Sequence, residues 1–480
     1  MTPEMPHAEV SARKLWLWYA AGAAAFIPVF RLHYIGEEAI FPIVSLEMWY
    51  QGEWVRQILY GSDVQHNPLF NWIIIAICHF VGWEWMREVA RAVTVGATLS
   101  TGLVLAWLTR RVFGDREFAV FAALVYLMLA DVALYRGWIA YVDPLFGFFV
   151  FSSLACLWVA CRERKTVLLA LAVLLLTLSF LTKAFTAYVF YGVAAFVLLL
   201  ERDQRRFLLS PASLTVHLAG AAALAVWLGL FHAGSGQGSR MFKEIIDKLV
   251  PEGGFEYLWK LVVYPVETAL KLAPASFLAL YYAWQPRDTA DPGSAPFRTA
   301  AWIAGLNYLP YFLAPQSHTR YLVPIYPFAA LVFAWLIWRA RPYSVMTTVR
   351  WFAGLLAFKL VVMLAAFPLY QKYYRGENYL ATAYDIHRRS QGHALFTTND
   401  AASGLAVTAH LNILRLPAPP LGFPPEKWES GFVVAYRPDP KVGEIAHQYR
   451  LGGNDLYLLC RGAACGPGSR KGQEKPEKDG

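Results

Sequence analysis

Residues 167–200 read VLLALAVLLLTLSFLTKAFTAYVFYGVAAFVLLL, an apolar run with Lys183 near its middle. As one α-helix this run would be ~50 Å long, because each residue adds about 1.5 Å. The hydrocarbon core of a bilayer is only about 30 Å thick. The run therefore predicts two membrane spans, Val167–Leu181 and Ala184–Leu200, that meet in a tight turn at Thr182–Lys183.

The composition of the whole chain agrees with a membrane protein. Of its 480 residues, 57% are hydrophobic and only 16% are charged, whereas soluble proteins are about 25% charged. So few charges cannot cover a water-soluble protein of 54.0 kDa. The net charge of +9 would also suit a nucleic-acid-binding protein. In a membrane protein the same excess is expected from cytoplasmic loops rich in Lys and Arg, so we expect no nucleic-acid partner.

Further apolar stretches long enough to span a bilayer recur along the chain. They are Leu15–Leu32, Val89–Leu108, Phe118–Leu134, Pro144–Ala160, Ala212–Phe231, Leu261–Trp284, Ala300–Leu313, Tyr321–Trp338 and Trp351–Leu369. The run Phe70–Val81 is short, which is typical of a helix lying at the interface. If it lies flat, the basic clusters of the loops fall on the cytoplasmic side. We therefore predict about eleven spans, a cytoplasmic N-terminus and an outer C-terminus.

After Tyr370 the sequence changes to short alternating segments. Its patterns predict helices and strands at Asn378–Arg389, Ala394–Thr398, Ala401–Leu411, Phe432–Tyr436 and Asp455–Cys460. The chain is thus predicted to be an all-α polytopic membrane domain, 1–369, followed by a small extracytoplasmic α/β domain, 370–465, and a disordered tail, 466–480. Cys460 and Cys465 are compatible with a local disulfide or with two free thiols.

In this topology, isolated ionisable residues collect on the outer side, at helix starts or turns. They are Glu37, Glu38, His66, Asp143 and Lys183. Each one alone has an ordinary explanation: acidic residues suit a helix N-terminus, and a lysine near a helix end snorkels to water. Their common position predicts a polar site beside the outer loops 34–88 and 232–260. The second loop is compatible with an interfacial helix, a mobile gate, or both.

Taken in order, these residues resemble motifs of the integral-membrane GT-C glycosyltransferases, in the branch of aminoarabinose transferases and protein O-mannosyltransferases. Glu37-Glu38 stands where the family has an Asp-Glu pair, and His66-Asn67-Pro68-Leu69 where it has Lys-Pro-Pro-Leu or His-Pro-Pro-Leu. Leu181-Thr182-Lys183-Ala184 is similar to the family's Leu-Thr-Lys-Gly. The pair Arg136 and Asp143 and the segment Ser317–Pro324 match further elements. The resemblance covers residues 31–340 and departs from the family at Glu37, Asn67 and Ala184.

The resemblance implies a GT-C fold and a hexosyl- or pentosyltransferase of the bacterial inner membrane. Such an enzyme would move a sugar from a polyprenyl-phosphate carrier to lipid A, another glycan or a protein, by inverting displacement. The resemblance assigns three roles to residues of this sequence: catalytic carboxylates, cations and aromatic residues that bind the donor phosphate, and polar residues that bind the acceptor. The expected residues are Glu37, Glu38 and Asp143 as catalytic; Lys183, Arg240, Lys243, Arg320 and Tyr321 at the phosphate; and His66 and Arg136 at the acceptor.

This chemistry requires no metal or cofactor, although a carboxylate–His66 metal site stays open. The sequence contains neither a P-loop nor a Gly-rich dinucleotide fingerprint, which favours a lipid-linked donor over a nucleotide sugar. Two alternatives come from other classes of protein. The chain could be a lipid or solute transporter or flippase, or a catalytically inactive scaffold.

Overall fold

The computed structural model describes residues 11–64, 67–231, 254–285, 294–341, 343–374, 378–398, 402–451 and 454–466. The chain forms two compact units, each assembled from three segments. The first unit comprises Met1–Ile27, Gln65–Leu69 and Ala92–Leu360, and the second comprises Pro28–Val64, Phe70–Arg91 and Val361–Gly480.

Helices dominate the described chain. In chain order they are α1 (Ala12–Ala24), α2 (Ile40–Gln51), α3 (Leu69–Val81), α4 (Met86–Phe113), α5 (Arg116–Leu127), α6 (Val142–Glu163), α7 (Thr166–Thr182), α8 (Thr186–Leu199), α9 (Arg202–Leu208), α10 (Pro211–Phe231), α11 (Gly254–Lys271), α12 (Ala275–Ala283), α13 (Ser294–Leu313), α14 (Tyr326–Trp338), α15 (Tyr343–Val361), α16 (Phe367–Leu369), α17 (Tyr379–Arg389) and α18 (Ala402–Leu414). The strands are β1 (Gln57–Leu59), β2 (Ser62–Val64), β3 (Leu395–Thr397), β4 (Gly431–Ala435), β5 (Glu444–Leu451) and β6 (Asn454–Arg461).

The break predicted inside residues 167–200 is confirmed. Helix α7 ends at Thr182, Lys183 lies outside helical geometry, and α8 begins at Thr186. The two helices pack beside α6 in the core of the first unit. Lys183 therefore lies at a helix end rather than inside one long helix.

Helix α6 is the buried centre of the first unit, and α10 lies at its surface. The most apolar part of α6 is 89% buried, whereas the corresponding part of α10 is 0% buried. Side chains such as Leu218 and Leu230 on α10 are largely exposed. Large apolar surfaces of this kind are stable in lipid and not in water, so the structure is that of a multi-pass membrane protein.

Five of the described helices are long and apolar enough to cross a membrane, and six if α11 and α12 form one broken span. The predicted total of about eleven spans remains a prediction.

The predicted span Leu261–Trp284 is interrupted. Helices α11 and α12 meet at a bend of 100°, so the pair forms either one broken span or a re-entrant loop. Pro274 lies between them, and proline ends a helix because it has no N–H and its ring clashes with the preceding turn. Helix α11 also begins at Gly254, so the described end of the predicted loop 232–260 is helical.

The second unit contains a β-hairpin and a four-stranded sheet. Strands β1 and β2 pair antiparallel between α2 and α3. The larger sheet has the order β3-β4-β6-β5, with β3 parallel to β4 and the other pairs antiparallel. Helices α17 and α18 pack against each other, and α18 also contacts β6.

The predicted helices and strands after Tyr370 occur within a few residues of their expected bounds. Strand β5 was not predicted, since its sequence EIAHQYRL mixes charged and apolar residues and it lies at the sheet edge. Of the two alternatives for the cysteine pair, the structure contains the disulfide Cys460–Cys465. The tail after residue 466 lies outside the described residues.

Glu47 on α2 gives a pH-dependent prediction. Burial raises the pKa of Glu47 to about 7, although the N–H groups of Tyr60 and Gly61 donate to its carboxylate. An unfolded chain releases this proton near pH 4.3. The folded protein therefore holds this proton more tightly than the unfolded chain does. The contribution to the free energy of unfolding is fully present below about pH 4 and is lost as the pH rises through about 7.

We expect the unfolding temperature to fall between about pH 5 and about pH 8, and the fall to be smaller in Glu47→Gln. Thermal unfolding followed by intrinsic fluorescence measures this slope. Glu426→Gln is the control, because Glu426 is exposed. Equal slopes in the wild type and Glu47→Gln would contradict the assignment.

Candidate functional site

A chain of polar contacts links four helix ends inside the first unit. The hydroxyl of Tyr326 donates to Oδ2 of Asp131 at 2.8 Å. Nε of Arg136 lies 3.3 Å from the same oxygen, and its Nη1 lies 3.6 Å from Oδ2 of Asp143. Nζ of Lys183 contacts the other oxygen of Asp143. The carboxylate of Asp143 is therefore held between two cations.

Local structure places each of these side chains at an element boundary. Asp131 and Arg136 lie in a π-helical segment after α5, and Asp143 lies in the first turn of α6. Lys183 follows the last residue of α7, and Tyr326 opens α14. Helix ends have unpaired backbone groups and accommodate polar side chains, so the cluster forms where the sequence interrupts its apolar runs.

Asn67 fixes the turn that carries Lys183. Its side-chain amide donates to the carbonyl of Phe180 at 2.6 Å and to that of Lys183 at 3.4 Å. Asn67 is buried, and a proline at this position would have no donor for these carbonyls. Asn67, which stands where the family has the first proline of its Pro-Pro element, therefore has a structural role in this chain.

The segment Thr319–Ile325 is a 3-10 helix that brings Arg320 and Tyr321 into the cluster. The ring centroid of Tyr321 lies 5.3 Å from Nζ of Lys183, and Nη2 of Arg320 donates to the hydroxyl of Tyr321 at 3.3 Å. Gly147 permits the close approach of α6 to this segment, because a Cβ there would lie 3.0 Å from a methyl group of Val323.

The cluster is partly accessible and has an excess of positive charge. The side chains of Lys183 and Asp143 are 17% and 12% exposed, so a ligand can reach them while most of the surrounding water is excluded. Lys183, Arg136 and Arg320 outnumber Asp131 and Asp143. These cations would therefore attract an anionic group such as a phosphate, and the attraction between the charges is stronger in this partly buried site than it would be in bulk water.

Glu38 belongs to the second unit, where it forms a buried ion pair with Arg91. Both side chains are 0% exposed, and Arg91 donates from Nε and Nη2 to the two carboxylate oxygens, each at 2.6 Å. The guanidinium also donates to the carbonyls of Val29, Leu32 and His33. This bidentate arrangement fixes the loop after α1.

Glu37 has the opposite environment. It is exposed, and it follows Gly36, whose φ of 57° lies in the left-handed region that favours glycine. Adjacent carboxylates in this turn therefore have different surroundings: Glu38 is enclosed by Arg91 and Glu37 is accessible.

The sequence-based expectations did not include Asp131, Arg91 or Tyr326. The sequence did contain a signal for Asp131 and Arg91, because each is an isolated charge within or near the end of a predicted span. Such charges are usually paired or functional. Tyr326 had no comparable signal. Three predicted site residues, His66, Arg240 and Lys243, lie outside the described residues.

Among the described residues, no group of three His, Cys, Asp or Glu side chains could hold a metal ion.

No family model matches the sequence, but curated proteins are similar to it. The chain is 30% identical over 275 residues to the undecaprenyl phosphate-α-4-amino-4-deoxy-L-arabinose arabinosyl transferase 1 of Pseudomonas fluorescens, covering 54% of this chain and 48% of the relative. It is 27% identical over 164 residues to the corresponding transferase of Yersinia enterocolitica, covering 33% and 29%. The chain thus matches about half the length of the first relative, and less of the second.

Solved structures share the fold. ArnT from Cupriavidus metallidurans bound to undecaprenyl phosphate aligns with a TM-score of 0.68 and 14% identity, covering 95% of this chain and all of that one (100%). The archaeal oligosaccharyltransferase AglB from Archaeoglobus fulgidus aligns with a TM-score of 0.53 and 12% identity, covering 83% and 63%.

The chain therefore has the fold of these solved structures, in agreement with the GT-C fold that the sequence resemblance implied. In sequence, part of the chain is similar to these aminoarabinose transferases.

Proposed function

We propose that this protein is a glycosyltransferase of the bacterial inner membrane that moves a sugar from a polyprenyl-phosphate carrier to an envelope acceptor. The observation that carries the proposal is the pairing of Lys183 with Asp143 at the end of α7, extended by Arg136, Arg320 and Tyr321. The cations Lys183 and Arg320 are suited to a lipid phosphate, which is the leaving group of such a reaction.

The transfer is an inverting displacement at the anomeric carbon. An acceptor oxygen forms a bond to this carbon while the bond from the carbon to the carrier phosphate oxygen breaks. The electron pair of the broken bond leaves on the phosphate, whose negative charge Lys183 and Arg320 stabilise. If the acceptor is a hydroxyl, its proton passes to a carboxylate.

We assign the base to Glu37, because it is accessible, and a positioning role to Glu38, because Arg91 occupies both its oxygens. Asp143 orients Lys183 and Arg136 by contacting both cations. His66 and Arg136 remain our proposed acceptor-binding residues, and Arg240 and Lys243 further phosphate ligands.

The names of the relatives suggest undecaprenyl phosphate-linked 4-amino-4-deoxy-L-arabinose as the donor. Lipid A is the acceptor that we propose first, with another glycan or a protein as the alternatives. We further propose a membrane domain of residues 1–369 with the N-terminus in the cytoplasm, and an extracytoplasmic domain of residues 370–465. The disulfide Cys460–Cys465 supports an oxidising compartment for the latter. The transporter alternative is not favoured, since the similar proteins are transferases.

Transfer can be tested directly with the purified full chain in detergent. The assay combines undecaprenyl phosphate-aminoarabinose with lipid A and follows the added mass by mass spectrometry. A mass increase of one sugar on lipid A supports the proposal. Its absence, with glycan and protein acceptors also unmodified, would contradict it.

Replacing Glu37 with glutamine should lower the transfer rate by about 10²–10⁴-fold, because the general base is lost. Glu37 is exposed, so the unfolding temperature should not change. Glu84→Gln, which removes another exposed carboxylate of the second unit, should transfer at the normal rate. Full activity of Glu37→Gln would show that no proton acceptor is needed at this position.

A further inference from the structure

A pocket of about 300 Å³ opens beside the phosphate-binding cluster, within the first unit. Its walls come from one side of α11 and from the loop that precedes the 3-10 segment. The residues that matter here are Trp259, Tyr264, Glu267, Gln316, Ser317 and His318. Its size lies at the lower end of the range for small-molecule sites, about 300–1,000 Å³.

Lys260, which also borders the pocket, is not available to bind a phosphate. Its Nζ donates to the carbonyls of Tyr311, Phe312 and Ala314 at 2.9, 2.6 and 2.6 Å. An ammonium group has three donors, and these three carbonyls at the C-terminal end of α13 use all of them. Lys260 therefore caps a helix and shapes the wall.

Glu267 leaves one carboxylate oxygen available to a ligand. Its Oε1 accepts a hydrogen bond from Thr319 at 2.7 Å and lies 2.6 Å from Nζ of Lys271. Within the described residues, no donor reaches Oε2, and the side chain is 44% exposed. An acceptor at a pocket wall is suited to a hydroxyl or amino group.

Aromatic side chains complete the walls. Trp259 is 62% exposed, whereas Tyr264 is buried and its hydroxyl lies 3.5 Å from Oγ of Ser317. Aromatic faces with a few fixed polar groups are typical of sites for small polar ligands that also have an apolar face. Monosaccharides have both kinds of surface, C–H faces and hydroxyl edges.

We infer that this pocket binds the monosaccharide headgroup of the polyprenyl-phosphate donor, with Oε2 of Glu267 accepting a hydrogen bond from a sugar hydroxyl or amino group. The inference rests on the proposed glycosyltransferase function. The residues His318–Tyr321 connect the two subsites: His318 lines the pocket, Thr319 bonds Glu267, and Tyr321 lies beside Lys183. A phosphate at Lys183 would thus direct its sugar towards this pocket.

Binding to the purified full chain in detergent tests the inference, with three probes measured by calorimetry. They are undecaprenyl phosphate, the same lipid carrying 4-amino-4-deoxy-L-arabinose, and the same lipid carrying mannose. We expect the wild type to bind at least one sugar-carrying lipid more tightly than undecaprenyl phosphate itself. Trp259→Ala and Glu267→Gln should each weaken that binding about tenfold, with the affinity for undecaprenyl phosphate unchanged.

Matched controls are Trp302→Ala, an exposed tryptophan on α13, and Glu256→Gln, an exposed carboxylate in the first turn of α11. Both should bind all three lipids as the wild type does. Equal affinity of the wild type for lipids with and without sugar, or normal sugar-dependent binding in both pocket variants, would overturn the pocket assignment alone. Failure of the wild type to bind undecaprenyl phosphate would instead count against the proposed function.

Discussion

Replacing Lys183 with alanine is expected to lower kcat by about 10²–10³-fold, which is the effect of removing one group that stabilises developing negative charge. Lys183 contacts Asp143 and lies 5.3 Å from the ring centroid of Tyr321, at the end of α7. In the variant the departing phosphate would keep Arg320 but lose the ammonium group of Lys183. The rate of sugar transfer to lipid A, measured at saturating donor, reports this loss.

Lys165→Ala is the matched control for this prediction. Lys165 precedes the first residue of the same helix α7, and its side chain is 57% exposed. It should transfer sugar at the normal rate. A normal kcat in Lys183→Ala, with the protein folded as judged by its unfolding temperature, would remove Lys183 from the phosphate-binding set.

Replacing Arg91 with alanine is expected to destabilise the protein by about 3–5 kcal/mol, because the variant leaves the carboxylate of Glu38 buried without its partner. Both side chains are 0% exposed. The carbonyls of Val29, Leu32 and His33 would also lose their donor, and each unsatisfied buried group adds to the cost. Unfolding by heat and by denaturant in detergent measures the loss.

Two further variants separate this effect from a general sensitivity to losing an arginine. Arg388→Ala removes an ion pair with Asp385 in which the arginine side chain is 76% exposed, and should cost no more than about 1 kcal/mol. The double variant Glu38→Leu/Arg91→Met removes both charges and should be more stable than Arg91→Ala. A small decrease in the free energy of unfolding of Arg91→Ala would mean that water reaches the carboxylate of Glu38.

The pattern of the sequence predicted several helix ends and several of the charged residues that lie there. Lys183 interrupts an apolar run that is too long for one span, so the turn after α7 could be predicted from length alone. Asp143 and Arg136 also lie at a boundary between apolar runs. The long-range contacts of the cluster could not be predicted, because they join residues far apart in sequence, such as Asp143 with Lys183 and Asp131 with Tyr326.

The bend between α11 and α12 shows a different limit. Residues 261–284 are apolar throughout most of their length, and hydropathy averages across a break of this kind. The pocket beside α11 depends on the loop of residues 315–318 packing against that helix. Neither its volume nor the hydrogen bonding of Glu267 has a signature in one sequence.

The amino-acid sequence by itself determined that this protein is a helical membrane protein, where its apolar runs are interrupted, and which charged residues stand at those interruptions. Only the tertiary structure decided which of two similarly apolar helices is enclosed and which faces outward: the most apolar part is 89% buried in α6 and 0% buried in α10. It also separated Glu38 in its ion pair from the exposed Glu37. The physical reason for the first difference is that lipid and protein interiors accept the same apolar side chains, so hydropathy does not tell an enclosed helix from a lipid-facing one. The reason for the second is that adjacent carboxylates have the same chemistry until packing gives one of them a partner.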